Sequence, residues 1–251
     1  MAQERDYRRK IIIALDVETG ERALALVREL GEARIFKVGL ELFTAEGPGL
    51  LKNIRDLGKE VFLDLKLHDI PNTVAEATRI GARHGASMMT IHASGGQEMM
   101  SRAAEAALVE SGKSRLPKPV LLGVTILTSL KSEELRQIGM VADTGAQVVR
   151  LAALTKRAKL DGVVCSAQEI EIVRKEVGPG FLIVTPGIRP AWASAQDQKR
   201  IMTPAEAMEK GSNYLVIGRP VTRAASPREA FLRIVEELEA GGYGSHGEDG
   251  A

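Results

Sequence analysis

Short apolar runs alternate with longer amphipathic stretches from one end of the chain to the other. The runs at Ile11–Val17, Arg34–Gly39, Glu60–Lys66, Ser87–His92, Pro119–Thr125, Leu160–Cys165, Phe181–Thr185 and Asn213–Ile217 predict strands. Between them, apolar residues recur at helical spacing: Ala23, Leu26, Val27 and Leu30 before the second strand, and Phe231, Ile234, Val235 and Leu238 in the last stretch. Capping boxes open several of these helices, at Ser166-x-x-Glu169, Thr203-Pro-x-Glu206 and Ser226-Pro-x-Glu229. Eight strand–helix units predict an α/β fold, a single-domain (β/α)8 TIM barrel. A doubly wound open sheet is the alternative, because periodicity alone does not prove closure.

No linker divides the chain. Residues 1–10 read as an N-terminal extension, 11–240 as the barrel, and 241–251 (GGYGSHGEDGA) as a Gly-rich polar tail expected to be disordered. Two long segments follow strands, Ser129 to Ile138 and Gly187 to Arg200, and read as functional loops.

The third strand carries the most informative residues. In EVFLDLKLHDIPNTV, Asp64 and Lys66 share one strand face with Phe62, while Val61, Leu63 and Leu65 share the other. If both faces are buried, an acid and an amine are held from water, which is costly unless they are paired or used. Such a pair either closes the strand as a buried ion pair or belongs to a site. Asp69, followed by Ile70-Pro71, favours a site, because a second carboxylate nearby is disfavoured unless the lysine lies between the two.

Polar residues collect where the predicted strands end, which is where barrels place chemistry. Asp16 ends the first strand, Lys37 the second, Asp64 and Lys66 the third and His92 the fourth, and Thr125 to Ser129 follows the fifth. Individually, each has a plainer reading as a turn, a cap or a snorkelling lysine. The seventh strand runs into TPGIRP with Arg189, and the eighth into VIGRP with Gly218 and Arg219. Glycines there let the backbone approach a ligand and arginines supply charge-assisted donors, so this end reads as a phosphate site rather than two solvated arginines.

Charge and composition narrow the partners. The 251-residue chain has a net charge of +1 and no basic run able to track a nucleic-acid backbone. Arg5, Arg8, Arg9 and Lys10 precede the apolar run Ile11–Leu15, which is too short for a signal-peptide core, and no stretch reaches membrane-spanning length. The lone Cys165 rules out an internal disulfide and reads as an inert core thiol, so a cytoplasmic protein is expected. Neither metal nor cofactor is expected. Lys37 and Lys66 interleave with the acids and would compete with a divalent cation. His68 and His92 lack a ligand set, His84 reads as a helix-end residue, and no G-x-G-x-x-G follows the first strand.

Together these blocks resemble the orotidine 5′-phosphate decarboxylase family in its bacterial form. FLDLKLHDIPNT is similar to that family's D-x-K-x-x-D signature with its following I-P-N-T. The likeness continues through Leu15-Asp16, Phe36 to Gly39, HASGG at His92 to Gly96, Leu127 to Ser129, Thr185 to Pro190, Asp197-Gln198 and Ile217 to Pro220. It covers residues 10–240 in order; only the loop AWASAQ, with the sole tryptophan Trp192, fits no fixed pattern.

The resemblance implies a cofactor-independent decarboxylation of orotidine 5′-phosphate to UMP, the last step of that nucleotide's synthesis. It implies that Asp16 and Lys37 hold the ribose hydroxyls and that Lys37 joins a charged chain with Asp64 and Lys66. Lys66 would protonate the pyrimidine C6. Asp69, bordered by Ile70 and Thr73, would reach the neighbouring subunit's site in a homodimer. Thr128 would lie near pyrimidine and ribose, Pro186 would line the substrate, and Arg189, Gln198, Gly218 and Arg219 would grip the phosphate. The competing readings are a related sugar-phosphate lyase of the same barrel suprafamily and a non-catalytic nucleotide-binding barrel.

Overall fold

A computed structural model describes residues 6–140, 142–193 and 202–242. All eight predicted strands form: β1 (Ile11–Ala14), β2 (Ile35–Gly39), β3 (Glu60–Leu67), β4 (Met88–His92), β5 (Val120–Val124), β6 (Gly162–Val164), β7 (Leu182–Pro186) and β8 (Tyr214–Ile217). They run parallel in chain order, and Ile11, Ile12 and Ile13 of β1 pair with Leu215, Val216 and Ile217 of β8. That last pairing closes the barrel and excludes the open sheet.

Successive strand residues face opposite ways, so the apolar runs divide between two cores. Ile12, Ala14, Ile35, Phe62, Met88, Leu122, Val184 and Val216 fill the barrel interior. Ile11, Ile13, Phe36, Val61, Leu63, Leu121 and Leu215 face outward, in one core with helix residues such as Leu26, Val27, Phe231 and Ile234. Burial on both faces explains why the strands read as continuous apolar runs. Each fully buried Ile, Leu or Phe contributes about 1.5–3 kcal/mol, which leaves room for charge only near the strand ends. At Gly162 the interior is so tight that a Cβ would strike the Leu182 carbonyl oxygen.

Four expectations need correction or narrowing. The segment Ser129 to Ile138 is not all loop: it contains the helix Ser132–Gln137, anchored by buried Leu135 and by Glu134, whose carboxylate accepts from the Lys131 N–H at 2.7 Å. The capping boxes at Ser166 and Thr203 form, but Ser226 makes no side-chain cap. Within the N-terminal extension, Tyr7 belongs to a short 3-10 turn and is buried in the core. The last helix, Pro227–Gly241, includes Gly241, and residues 243–251 of the expected tail lie outside the described residues. Among the described residues, no helix is long and apolar enough to cross a membrane.

Candidate active site

The site begins with an irregularity in β3. Leu63 pairs with Met89 of β4, yet the next partner of Ile91 is Leu67, so the register shifts between them. Within this bulge Lys66 takes a positive φ of 52°, a left-handed conformation disfavoured for any residue with a Cβ. Bulges of this kind bend a strand and re-aim its side chains. Here the ammonium of Lys66 turns back onto Asp64, with Nζ 2.9 Å from both carboxylate oxygens.

Asp64 holds further partners. The Thr90 hydroxyl donates to Oδ1 at 2.9 Å, and Lys37 Nζ lies 3.7 Å from Oδ2. Lys37 in turn donates to Asp16 Oδ1 at 3.0 Å. Side chains from β2, β3 and the end of β1 thus form an alternating chain of Asp16, Lys37, Asp64 and Lys66, in which two acids balance two amines. The middle is buried, with Lys37 and Asp64 side chains 11% and 12% exposed, while Asp16 and Lys66 at the ends are 61% and 36% exposed. Buried charges are tolerated when paired and hydrogen-bonded in this way. The chain lines a cavity of about 360 Å³ together with Gly39 and His92.

His92 ends β4 with its ring centroid 5.4 Å from that of His68. Burial, reinforced by the charges of His68 and Lys66, pushes His92 below its ordinary value, so it is neutral at pH 7. The Cys165 thiol is pushed up by burial and is inert, in keeping with its expected core role. His84 caps the helix Pro71–Arg83, as expected. Among the described residues, no group of three or more His, Cys, Asp or Glu side chains could hold a metal ion.

The remaining expected residues stand around this chain. Asp69 is exposed, its Oδ1 accepting from the Ile70 N–H at 2.7 Å. Ile70 is 66% exposed at the start of the helix Pro71–Arg83, and Thr73 is exposed in its first turn. Asp69 and Thr73 line an open groove that shares Leu40, Leu65 and Lys66 with the cavity. Thr128 lies in an exposed turn after β5. Pro186 ends β7, Gly187 turns the chain at φ 76°, and Arg189 is buried, its N–H donating to the Met202 carbonyl at 3.1 Å. Gly218 backs onto Asp16, since a Cβ there would stand 3.6 Å from Oδ2, and Arg219 opens the short helix Arg219–Thr222. Gln198 and its neighbour Asp197 lie outside the described residues.

Thr90 was not among the residues singled out from the sequence. The signal was available: Met88, Thr90 and His92 alternate on one face of β4, so a hydroxyl in an apolar strand was bound to face the barrel interior.

A family model described as "Orotidine 5'-phosphate decarboxylase / HUMPS family" matches residues 9–234. An orotidine 5′-phosphate decarboxylase from Syntrophotalea carbinolica is 51% identical over 236 residues, covering 94% of this chain and 97% of that protein. One from a Geobacter species is 50% identical over 234 residues, covering 93% and 97%. The crystal structure of orotidine 5′-phosphate decarboxylase from Lactobacillus acidophilus superimposes with a TM-score of 0.80 at 36% identity, over 92% of this chain and 99% of that one.

Proposed function

The chain belongs to the orotidine 5′-phosphate decarboxylase / HUMPS family, and on that premise we propose that it converts orotidine 5′-phosphate to UMP and carbon dioxide without a cofactor, with Lys66 as proton donor. This is the last step of de novo pyrimidine nucleotide synthesis, and a cytoplasmic location goes with it. When the bond from C6 to the carboxylate breaks, its electron pair stays on C6 in the ring plane, out of conjugation with the π system. Fixed charge must therefore stabilise it, because the ring offers no electron sink. Lys66 supplies a cation whose attraction grows as that charge develops, which is what lowers a barrier. Its proton then passes from Nζ to C6, and solvent reprotonates the amine.

The observation that carries this reading is the chain from Asp16 through Lys37 and Asp64 to Lys66. It fixes the ammonium before the substrate arrives, so little reorganisation accompanies reaction. Asp16 and Lys37 hold the ribose hydroxyls, Thr128 and Pro186 border the nucleoside, and Arg189, Gln198, Gly218 and Arg219 bind the phosphate. Residues 11–240 form the catalytic barrel, with the turn Tyr7–Arg9 packed against it and the last helix running on to Gly241.

The active form is a homodimer in which Asp69, Ile70 and Thr73 complete the neighbouring subunit's cavity. Their exposure beside an open groove of about 650 Å³ supports that assignment. Protein freed of metal with EDTA should deplete the orotidine 5′-phosphate absorbance at an undiminished rate. Absent turnover, or turnover lost on chelation and restored by Mg²⁺, rejects the reading.

A further inference from the structure

We propose that Thr90 is a positioning residue for the decarboxylation, acting through both Asp64 and Lys66. The inference rests on the decarboxylase reading and adds a residue outside the D-x-K-x-x-D segment. A threonine hydroxyl has one proton to give and lone pairs to accept with. Here both functions are used: Thr90 Oγ1 accepts from the Lys66 N–H at 2.9 Å and donates to Asp64 Oδ1 at 2.9 Å. The first bond secures the backbone where the register of β3 and β4 shifts and Lys66 holds its left-handed φ of 52°. The second fixes the carboxylate that grips Lys66 Nζ through both oxygens.

Thr90 is suited to the task by its surroundings. It is 1% exposed, so water does not compete for its hydroxyl, and its β-branch restricts χ1. One side chain on β4 therefore sets both the backbone and the counterion of the lysine on β3. Removing the hydroxyl leaves the Lys66 N–H without that acceptor and the carboxylate freer to rotate, so the ammonium is no longer held in one place. Misplacement of a reacting group by about 1 Å is enough to slow turnover by about 100-fold. Substrate affinity, set by phosphate and ribose contacts elsewhere, should change little.

Thr90→Val keeps the shape and branching and deletes only the hydroxyl. It should lower kcat roughly 10- to 100-fold with KM for orotidine 5′-phosphate within about threefold of wild type, the split expected when only the transition state is affected. Thr90→Ser restores the hydroxyl and should return kcat to within about threefold of wild type. Should Thr90→Val fail to fold, Thr90→Ala, which also lacks the hydroxyl, takes its place in the comparison with Thr90→Ser. An unchanged kcat in the hydroxyl-free variant, a serine variant as slow as that one, or a loss confined to KM would each overturn the positioning role while leaving the decarboxylase reading intact. A wild-type protein without turnover would take down the decarboxylase reading, and this inference with it.

Discussion

Replacing Lys66 by alanine separates the chemistry from the fold. Asp64 is largely buried, and loss of Nζ strips two 2.9 Å contacts from its carboxylate. Two partners remain, the Thr90 hydroxyl at 2.9 Å and the Lys37 ammonium at 3.7 Å. A buried charge left wholly unpaired would cost about 3–5 kcal/mol. A carboxylate that keeps a cation and a donor instead loses about what one hydrogen bond to a charged group contributes, about 1.5–3 kcal/mol. At about 2–4 °C in Tm per kcal/mol for a domain of this size, Lys66→Ala should melt about 3–12 °C below wild type, still folded at 25 °C. Turnover should suffer far more. A positioned proton donor contributes about 10²- to 10⁴-fold, and one preorganised charge at the reacting centre about 10²- to 10³-fold. Their product predicts a loss of at least about 10⁴-fold. Absorbance assays give turnover, calorimetry gives Tm, and titration with UMP should still detect nucleotide binding. Turnover within about tenfold of wild type would refute the proton-donor role. A fall in Tm beyond about 20 °C would refute the claim that Lys37 and Thr90 still support Asp64.

If the proposed homodimer shares its sites, mixing inactive Lys66→Ala and Asp69→Ala proteins after subunit exchange should recover roughly a quarter of wild-type activity, because half the dimers would be mixed and each would regain one intact site; no recovery would place Asp69 in its own subunit's site. On the proposed phosphate role, Arg219→Ala should lower kcat/KM for orotidine 5′-phosphate at least about 100-fold, and an unchanged kcat/KM would remove Arg219 from that role. For His92, depressed below its ordinary 6.5 by burial and neighbouring charge, the unfolded chain takes up a proton that the folded chain resists. Its contribution to stability is complete above pH 6.5 and shrinks as pH falls below that value. His92→Gln should accordingly flatten the dependence of the urea midpoint on pH between about 5 and 7, and identical slopes would absolve His92. Gly162→Ala should destabilise the barrel by about 1–3 kcal/mol, since its Cβ meets the Leu182 carbonyl; a wild-type Tm would show that β6 and β7 move apart freely.

Strand positions were legible because they depend on local information. Residues such as Ile11 to Leu15 form a buried run whichever neighbours cover them, and the polar residue that follows, Asp16, marks where the run leaves the barrel. Ser226 shows the limit of a local motif: its side chain is of the right type and Glu229 stands three residues on, yet no side-chain cap forms. The segment after β5 reads as a loop for a related reason. Its helix is a single short stretch secured by Leu135 in the core, a contact that periodicity over so few residues does not reveal.

By itself the sequence determined the number and chain order of the strands and which acids and amines stand at their ends, because apolar runs and their polar punctuation are properties of neighbouring residues. Only the tertiary structure decided that β1 meets β8, that β3 slips against β4 so that Lys66 doubles back on Asp64, and that Thr90 and Lys37 hold that carboxylate from strands on either side. Register between segments far apart in sequence is set by how the whole barrel packs and closes, and no local pattern encodes it.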